Sequence, residues 1–597
     1  MAFIFRPAAS KTAAYNNTVS VNSYWESDVS LMRRMFAATV SAMFLASMLL
    51  TPCAFAASAH KSAATHRSAG EQRPAGMLEA MGNVRSERIR ADVKYLSSDA
   101  MEGRGTGTRG GELAAAYIAA QFKEAGVEPA GDNGTYFQKV PMVGITTQPE
   151  STVAVTSAKQ TIHLKLMDDI VLFNQDQHET VDIDAPVVFV GYGVTAPEFG
   201  WDDYAGADVK GKILLMFVNE PPSDDPKFFA GKALTYYGRW TYKYEQAARM
   251  GAAGVMLIHR TDMASYGWPV VRSSWSGEHS GLAEDRDPKL PMASWLQWEQ
   301  ARIMLADAGQ DLDALLVAAQ KKGFRAIPLP LTVKAHVVSK IRYFASSNVI
   351  GKVTGSDPVL SKQAVIFTGH YDHLGIRRDQ PGNNIYHGAL DNATGAAMVM
   401  EIARAVAAAK ERPRRTFYFV SVTAEEQGLW GSAYLAQHPP VPVADISLNL
   451  NYDAVKPLGI PRQVEAQGSE LTTFAKVVEK TAEDFKMSVV APEHPENGGY
   501  YRSDHFSFVR AGVPAFSIDP GQAFSGHSEE WVRSNSEAME KSYHQPTDEF
   551  KEEYDYRCNA VLARFGIALA YRAASLPGAV QWLPGAEFEK VRKPSMQ

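Results

Sequence analysis

Three apolar runs in this 597-residue sequence each lead straight into residues that bind metals or move protons. "AVIFTG" leads into His370, Asp372 and His373; "TFYFVSVT" into Glu425 and Glu426; "ISLNLN" into Asp453. A fourth acid, Asp391, stands in "GALDNATG", just ahead of a long apolar segment. Carboxylates gathered in one place repel unless they are protonated or share a cation. The neighbouring sequence supplies little Lys or Arg, so a metal centre resolves the conflict. Histidine with Asp and Glu, and without cysteine, suits zinc, with cobalt or manganese as alternatives. Five donors exceed one tetrahedral site and suit two ions sharing a carboxylate. A histidine further along must complete the set. His544 in "KSYHQPTDEF", His527 in "FSGHSEEW" and His505 in "RSDHF" all qualify on spacing.

Each residue has a plainer reading when taken alone. His370 or His373 could be a structural histidine, and Glu425 with Glu426 a solvated turn. Asp391 before a helix could be an N-cap, and His544 a surface-loop residue. What favours the metal reading is coincidence at three consecutive strand ends. Ligands in open α/β sheets bind beyond the carboxyl ends of the strands, so these residues would face one crevice.

The elements that must position them are legible from periodicity. "RSERIRADVKYLSS" and "ELAAAYIAAQFKEAG" read as helices, with the glycine-rich loop "MEGRGTGTRG" between them. "ATGAAMVMEIARAVAAAK" reads as a helix that Pro413 stops from continuing. Continuous apolar strands alternating with helices predict an α/β fold, a mostly parallel central sheet covered by helices on both faces. From 149 to 340 the texture changes to short apolar runs such as "PVVFVGYG" and "GKILLMFVNEP", and no cluster of metal donors occurs there. This stretch reads as an inserted, smaller mixed α/β domain. It splits the surrounding larger domain into 81–148 and 341–597.

The bulk composition bounds the partners. Net charge is −6, which gives no electrostatic case for nucleic acid. The two cysteines, Cys53 and Cys558, exclude a disulfide framework. "MRRMFAATVSAMFLASMLLTPCAFA" has a basic start, an apolar stretch and an A-x-A site at Ala54–Phe55–Ala56. It reads as a secretory signal rather than a signal anchor, so residues 1–56 are an upstream extension plus signal. Residues 57–80 are a flexible Ala/Ser-rich lead-in. Export to the periplasm or beyond, with no stable membrane span after cleavage, is the expectation.

The motifs "TGHYDHLG", "GALDNATG", "TAEEQGLWGS", "NYDAV" and "YHQPTDEF" occur in the order seen in the co-catalytic di-zinc aminopeptidases, and the chain resembles that family over about 80–145 and 340–575. "VFVGYGVTAPEFGWDDYAGADVKGKILLMFV" and "GAAGVMLIH" are similar to a protease-associated domain, an insertion common in such proteins. The resemblance implies two zinc ions and peptide substrates with a free N-terminus. It makes Asp391 the bridging carboxylate, with His370 and Asp453 completing one zinc site and Glu426 and His544 the other. Glu425 becomes the general base toward metal-activated water. Asp372 becomes the acceptor that orients the His370 ring, and His373 is left without a role. Tyr501 or His505, in "GGYYRSDHF", could assist the transition state. The rivals are a glutamate-carboxypeptidase-like enzyme or dipeptidase, in which Arg502 and Arg510 would grip a terminal carboxylate; glutaminyl cyclase, which needs only one zinc; and a non-enzymatic receptor, which would have lost the metal donors.

Overall fold

The computed structural model describes residues 74, 76–285, 287–377, 382 and 384–592. The expected signal, Cys53 and most of the expected lead-in lie outside the described residues.

The three strands of the sequence argument form the heart of one sheet. Ala364–His370 lies parallel between Thr416–Val422 and Ile446–Asn451, and Ala515–Ser517 extends the parallel set. All three central strands are buried along their whole length. Side chains alternate across a strand. Val365 and Phe367 therefore join Phe417, Phe419, Leu448 and Leu450 on one face, beneath the helices Thr394–Ala407 and Arg557–Ser575. Ala364, Ile366, Tyr418 and Val420 point the other way, onto Leu435, Phe506 and Phe508. Helices on both faces explain why the strands read as unbroken apolar runs. Truncating a residue such as Phe367 would cost roughly 3–5 kcal/mol through the cavity it leaves.

Register decides what happens at the strand ends. His370 is level with Val422, and Thr368 with Asn451. The residues that follow, Glu425, Glu426 and Asp453, therefore emerge beside His370. Asp391 arrives at the same edge from the segment Ala389–Ala393, ahead of the almost wholly buried helix Thr394–Ala407.

Beyond Thr416–Val422 the sheet becomes antiparallel and mixed. The 27-residue strand Ile327–Val353 pairs with Thr416–Val422 and Phe137–Thr147 along its second half. Along its first half it pairs with Thr180–Phe189 and Thr152–Thr156. There a second lobe builds its own parallel set, Thr180–Phe189, Ile213–Phe217, Gly254–His259 and Met292–Gln297. Ile213, Leu215 and Phe217 pack into one apolar cluster, and Leu214 and Met216 into another with Tyr244, Ala247 and Ala248 of the helix Trp240–Arg249. Position 340 lies inside the long strand, so backbone pairing continues unbroken from one lobe to the other. The lobes also touch side by side. The Tyr236 ring packs on Phe506 (4.9 Å) and Tyr501 (6.0 Å), and Arg510 Nη1 reaches Glu245 Oε1 at 2.9 Å.

Among the described residues no helix is long and apolar enough to cross a membrane. Cys558 is the one described cysteine, and it is buried and unpaired.

Candidate metal centre

His370, Asp391, Glu425, Glu426, Asp453 and His544 come together at the carboxyl edge of the parallel strands. His370 Nε2 stands 3.1 Å from Asp453 Oδ1, 3.3 Å from Asp391 Oδ1 and 3.8 Å from Glu425 Oε2. His544 Nε2 stands 3.3 Å from Asp391 Oδ2 and 2.8 Å from Glu426 Oε2. Asp391 thus turns one oxygen toward each histidine. Two donor groups each lie within a 4.8 Å span, His370–Asp391–Asp453 and His373–Asp391–Glu426, and Asp391 belongs to both.

The donor set fits divalent cations on its own geometry. His544 Nε2 is buried and close to two carboxylates, yet makes no aligned hydrogen bond, and His373 Nε2 is orphaned too. His370 Nδ1 faces the Asp372 carbonyl at 3.2 Å. That contact assigns the ring proton to Nδ1 and leaves the Nε2 lone pair facing the carboxylates.

Electrostatics separates the two neighbouring glutamates. Burial pushes the Glu425 carboxyl well above its ordinary range, against the pull of His370. Burial and Asp391 act in the same sense on Glu426, but His544 and His373 outweigh them and hold it at about 2. Asp391 is likewise kept well below its ordinary range, because His370 and His544 overcome the effect of burial. The two neighbouring glutamates are thus pushed in opposite directions by their surroundings.

The backbone around these side chains is unusual. Ala424, Ala454 and His544 are non-glycine residues with φ of 56°, 51° and 55°, and they adjoin or belong to the cluster. Such conformations cost of order 1–3 kcal/mol each and persist where their surroundings over-determine them.

Several supports were not anticipated from sequence. Arg104 is wholly buried and donates to the carbonyls of Tyr371 (2.6 Å), Leu96 (2.6 Å), His387 (2.7 Å) and Gly388 (2.8 Å). Those contacts brace the main chain beside His370 and ahead of Asp391. Asp548 accepts from the backbone N–H of Leu390 (2.9 Å) and Asp391 (3.1 Å). Ser503 donates to Asp453 Oδ2 at 2.6 Å. Arg104 stood in the glycine-rich loop and Asp548 four residues after His544, and both signals lay in segments already singled out. Ser503 lay in a quoted segment too, "GGYYRSDHF", but the tyrosine and histidine there drew the attention and the serine did not. His373, left without a role, places Nδ1 2.6 Å from Glu426 Oε1.

Two expectations change. The group facing His370 Nδ1 at hydrogen-bonding distance is the Asp372 main-chain carbonyl, since its carboxylate is 3.8 Å away. That carboxylate accepts from Thr106 Oγ1 (2.9 Å) and the Glu425 N–H (3.2 Å), so it steadies the glutamate loop instead. The Tyr501 hydroxyl donates to Glu587 Oε2 at 2.8 Å and so is not free to assist at the cluster. His505 is buried, with both ring nitrogens unpartnered, and burial lowers its pKa to about 4. His527, the other spacing competitor, stacks on Trp531 with ring centroids 3.7 Å apart.

Residues 348–566 match the model of peptidase family M28. The match covers 219 of the 597 residues, just over a third of the chain. Every residue of the cluster lies inside the M28 segment, whereas Arg104 and Thr106 reach it from outside. Among curated proteins, the chain is 27% identical over 319 residues to a probable zinc metalloprotease of Pyrenophora tritici-repentis, covering 46% of this chain and 58% of that one. It is 29% identical to leupeptin-inactivating enzyme 1 of Streptomyces exfoliatus, covering 40% of this chain and 51% of that one. The chain thus spans about half the length of these curated relatives. Among solved structures, the aminopeptidase from Aneurinibacillus sp. strain AM-1 is similar at 19% identity and a TM-score of 0.49, over 85% of this chain and 98% of that one.

Proposed function

We infer that the protein is an exported zinc-dependent aminopeptidase with two zinc ions per chain and Glu425 as general base. The observation that carries this is Asp391, whose two oxygens face His370 and His544 at the same 3.3 Å. On this reading His370 and Asp453 hold one ion with Asp391, and Glu426 and His544 hold the other. His373 keeps Glu426 in place. Zinc, when bound, supplies Lewis acidity toward a peptide carbonyl and toward water. Glu425 takes the proton of the attacking water and returns it to the leaving amine. Such a transfer is worth on the order of 10²–10⁴ in rate. Surplus carboxylate at the cluster gives a free N-terminal ammonium a counter-charge. The zinc-metalloprotease relative and the family match support the chemistry, and the motif resemblance supports the free amine. Export is carried by the sequence of residues 32–56.

The test is hydrolysis of Leu-, Lys- and Ala-p-nitroanilide and their N-acetylated forms, alongside a peptide ending in glutamate, before and after chelation and zinc restoration. Zinc-dependent cleavage of only the free-amine substrates is expected. Cleavage confined to the C-terminal glutamate would replace the reading with a carboxypeptidase. Glu425→Gln should lose turnover yet retain both zinc ions, whereas Glu426→Ala should lose zinc as well. Identical metal contents in the two variants would overturn the division of labour.

A further inference from the structure

Next to the metal centre the sheet carries two acids that no cation answers. The strand Ala515–Ser517 runs parallel to Ile446–Asn451, with Ser517 level with Asn451. The Ile518 N–H donates to the Asn451 carbonyl at 3.0 Å, so this register continues past the last paired residues. Two residues on, it sets Asp519 level with Asp453, a candidate metal donor. Neighbouring strands lie about 4.8 Å apart, so Asp519 stands one strand's width from the cluster.

Asp519 then enters a second, smaller sheet. The strand Asp519–Pro520 pairs antiparallel with Gln463–Glu465, and Glu465 lies directly opposite Asp519. Directly opposed residues project to the same face, with Cβ atoms roughly 4.5–5.5 Å apart. Val464 points the other way, into the apolar cluster beneath the parallel strands, so Glu465 and Asp519 turn away from that core. Like charges placed opposite one another destabilise a sheet. Nothing in the chain relieves these two, since among the described residues neither carboxylate has an ion pair. Lys456 acts on both from a distance, but its Nζ is engaged by Glu540 at 2.8 Å. Burial pushes Asp519 up to about 7 against Ser517, with Asp453 adding to the rise, and pushes Glu465 up to about 8, with Asp519 and Glu493 adding.

An acidic pair by itself marks no site. This one adjoins a cluster that demands an occupant on independent grounds, because His373 is 1% exposed and its Nε2 has no partner. A substrate whose first peptide bond lies at the cluster places its first side chain beside it, since scissile carbonyl and side chain branch from one Cα. The α-ammonium meets the carboxylates of the cluster itself. Asp519 and Glu465 lie one strand further out, where only a side chain reaches.

We propose that Glu465 and Asp519 form a carboxylate pair that selects a cationic side chain, lysine or arginine, on the first residue of the substrate. The proposal rests on the aminopeptidase reading above and narrows its substrate class. An ammonium or guanidinium would join the two carboxylates, whereas an apolar side chain would cover them and leave them unpaired, so attraction and rejection act together.

The experiment compares kcat/KM of the zinc-loaded enzyme for Lys- and norleucine-p-nitroanilide. Their first side chains share a four-carbon stem and differ in the ammonium. Lysine should be favoured by about tenfold or more. Glu465→Gln and Asp519→Asn, which keep the shape and remove the charge, should each bring the ratio toward unity, and the double variant should favour norleucine. Loss of zinc or of fold lowers both rates together, so the ratio isolates the contact. Glu470→Gln removes a nearby charge whose carboxylate accepts from the Gly468 N–H at 2.8 Å, and should retain the preference. A wild-type ratio at or below unity, variants that keep the full preference, or an equal loss in Glu470→Gln would each overturn the pair. Cleavage of norleucine-p-nitroanilide without a lysine preference defeats the pair and leaves the aminopeptidase reading standing. Silence on both substrates despite bound zinc defeats that reading instead. Calorimetric binding of lysinamide and norleucinamide to the zinc-loaded protein then reads the pair without turnover, and equal affinities would refute it.

Discussion

Replacing Arg104 by methionine should weaken the fold and the metal centre together. The guanidinium is wholly buried and satisfies four main-chain carbonyls at 2.6–2.8 Å. Burial pulls its pKa down to about 10, partly offset by Asp548, Asp372, Asp391 and Glu426, so it remains charged at neutral pH. Methionine has similar reach and no donors. Each orphaned buried carbonyl costs about 1–3 kcal/mol. The four belong to one network and are not additive, so the loss should approach that of a broken buried ion pair, roughly 3–5 kcal/mol. By the usual entropy scaling for a unit of about 500 residues this lowers Tm by on the order of 3–5 °C. The effect should reach the metal, because Tyr371 separates His370 from Asp372 and Gly388 lies three residues before Asp391. Zinc affinity should fall by about 10–100-fold, the usual loss when an orienting neighbour is removed. Calorimetric melting with and without zinc, together with chelator competition, measures both. Arg104→Lys, which keeps the charge but loses the fork, should fall between. A variant that melts early but binds zinc as tightly as the wild type would refute the link between this arginine and the site. One that does neither would refute the bonding argument itself.

Two further outcomes test other parts of the molecule. Ser503→Ala removes the 2.6 Å contact to Asp453 and strands the Asn451 amide that donates to Ser503 at 2.8 Å. It should lower zinc affinity at the His370–Asp453 side by about tenfold or more, read by zinc competition, and unchanged affinity would count against the assigned ligand. In the second lobe, burial pulls the Lys243 amine from 10.5 down to about 7, with Glu220 and Asp203 pulling back. Between those two values the unfolded chain holds a proton that the folded chain lacks, so stability rises with pH over that window. Glu220 and Asp203, raised by burial to about 7 and about 6, give the opposite slope below neutrality. Lys243→Met should abolish the alkaline rise between pH 7.5 and 9.5 in urea unfolding; an equal rise in the variant would show that its source lies elsewhere.

The strands were legible because they are buried on both faces. Val365 and Phe367 face one helical layer and Ala364 and Ile366 the other, and that demand writes an unbroken apolar run into the sequence. The parallel register then makes the strand ends coincide, so His370, Glu425, Glu426 and Asp453 could be gathered before any coordinate was known. The choice of His544 over His527 and His505 came only from motif resemblance. It depends on a left-handed residue in a turn, and spacing does not encode a turn. The antiparallel half of the sheet was missed for a related reason. Ile327–Val353 alternates buried and exposed positions along its first half and is largely exposed at its middle, so it carries no continuous apolar signature.

What stayed hidden consists of long-range contacts made by polar side chains. Arg104 reaches Tyr371 across 267 residues, and Asp548 reaches Leu390 across 158. A buried arginine that serves only carbonyls needs no complementary residue type in the sequence, so no pattern can announce it. Reading the second lobe as a passive insertion follows naturally from a search for metal donors, because it contains none. The continuous strand Ile327–Val353 ties the lobe to the sheet that carries the candidate metal donors, and the Tyr236 contact sets its edge against Tyr501. A lobe fastened in two places is held in register with that sheet, whereas one on a loose linker would not be. The residues that could hold metal thus all lie within 348–566, and the second lobe is tied to that segment by backbone pairing and by an aromatic contact rather than by a linker.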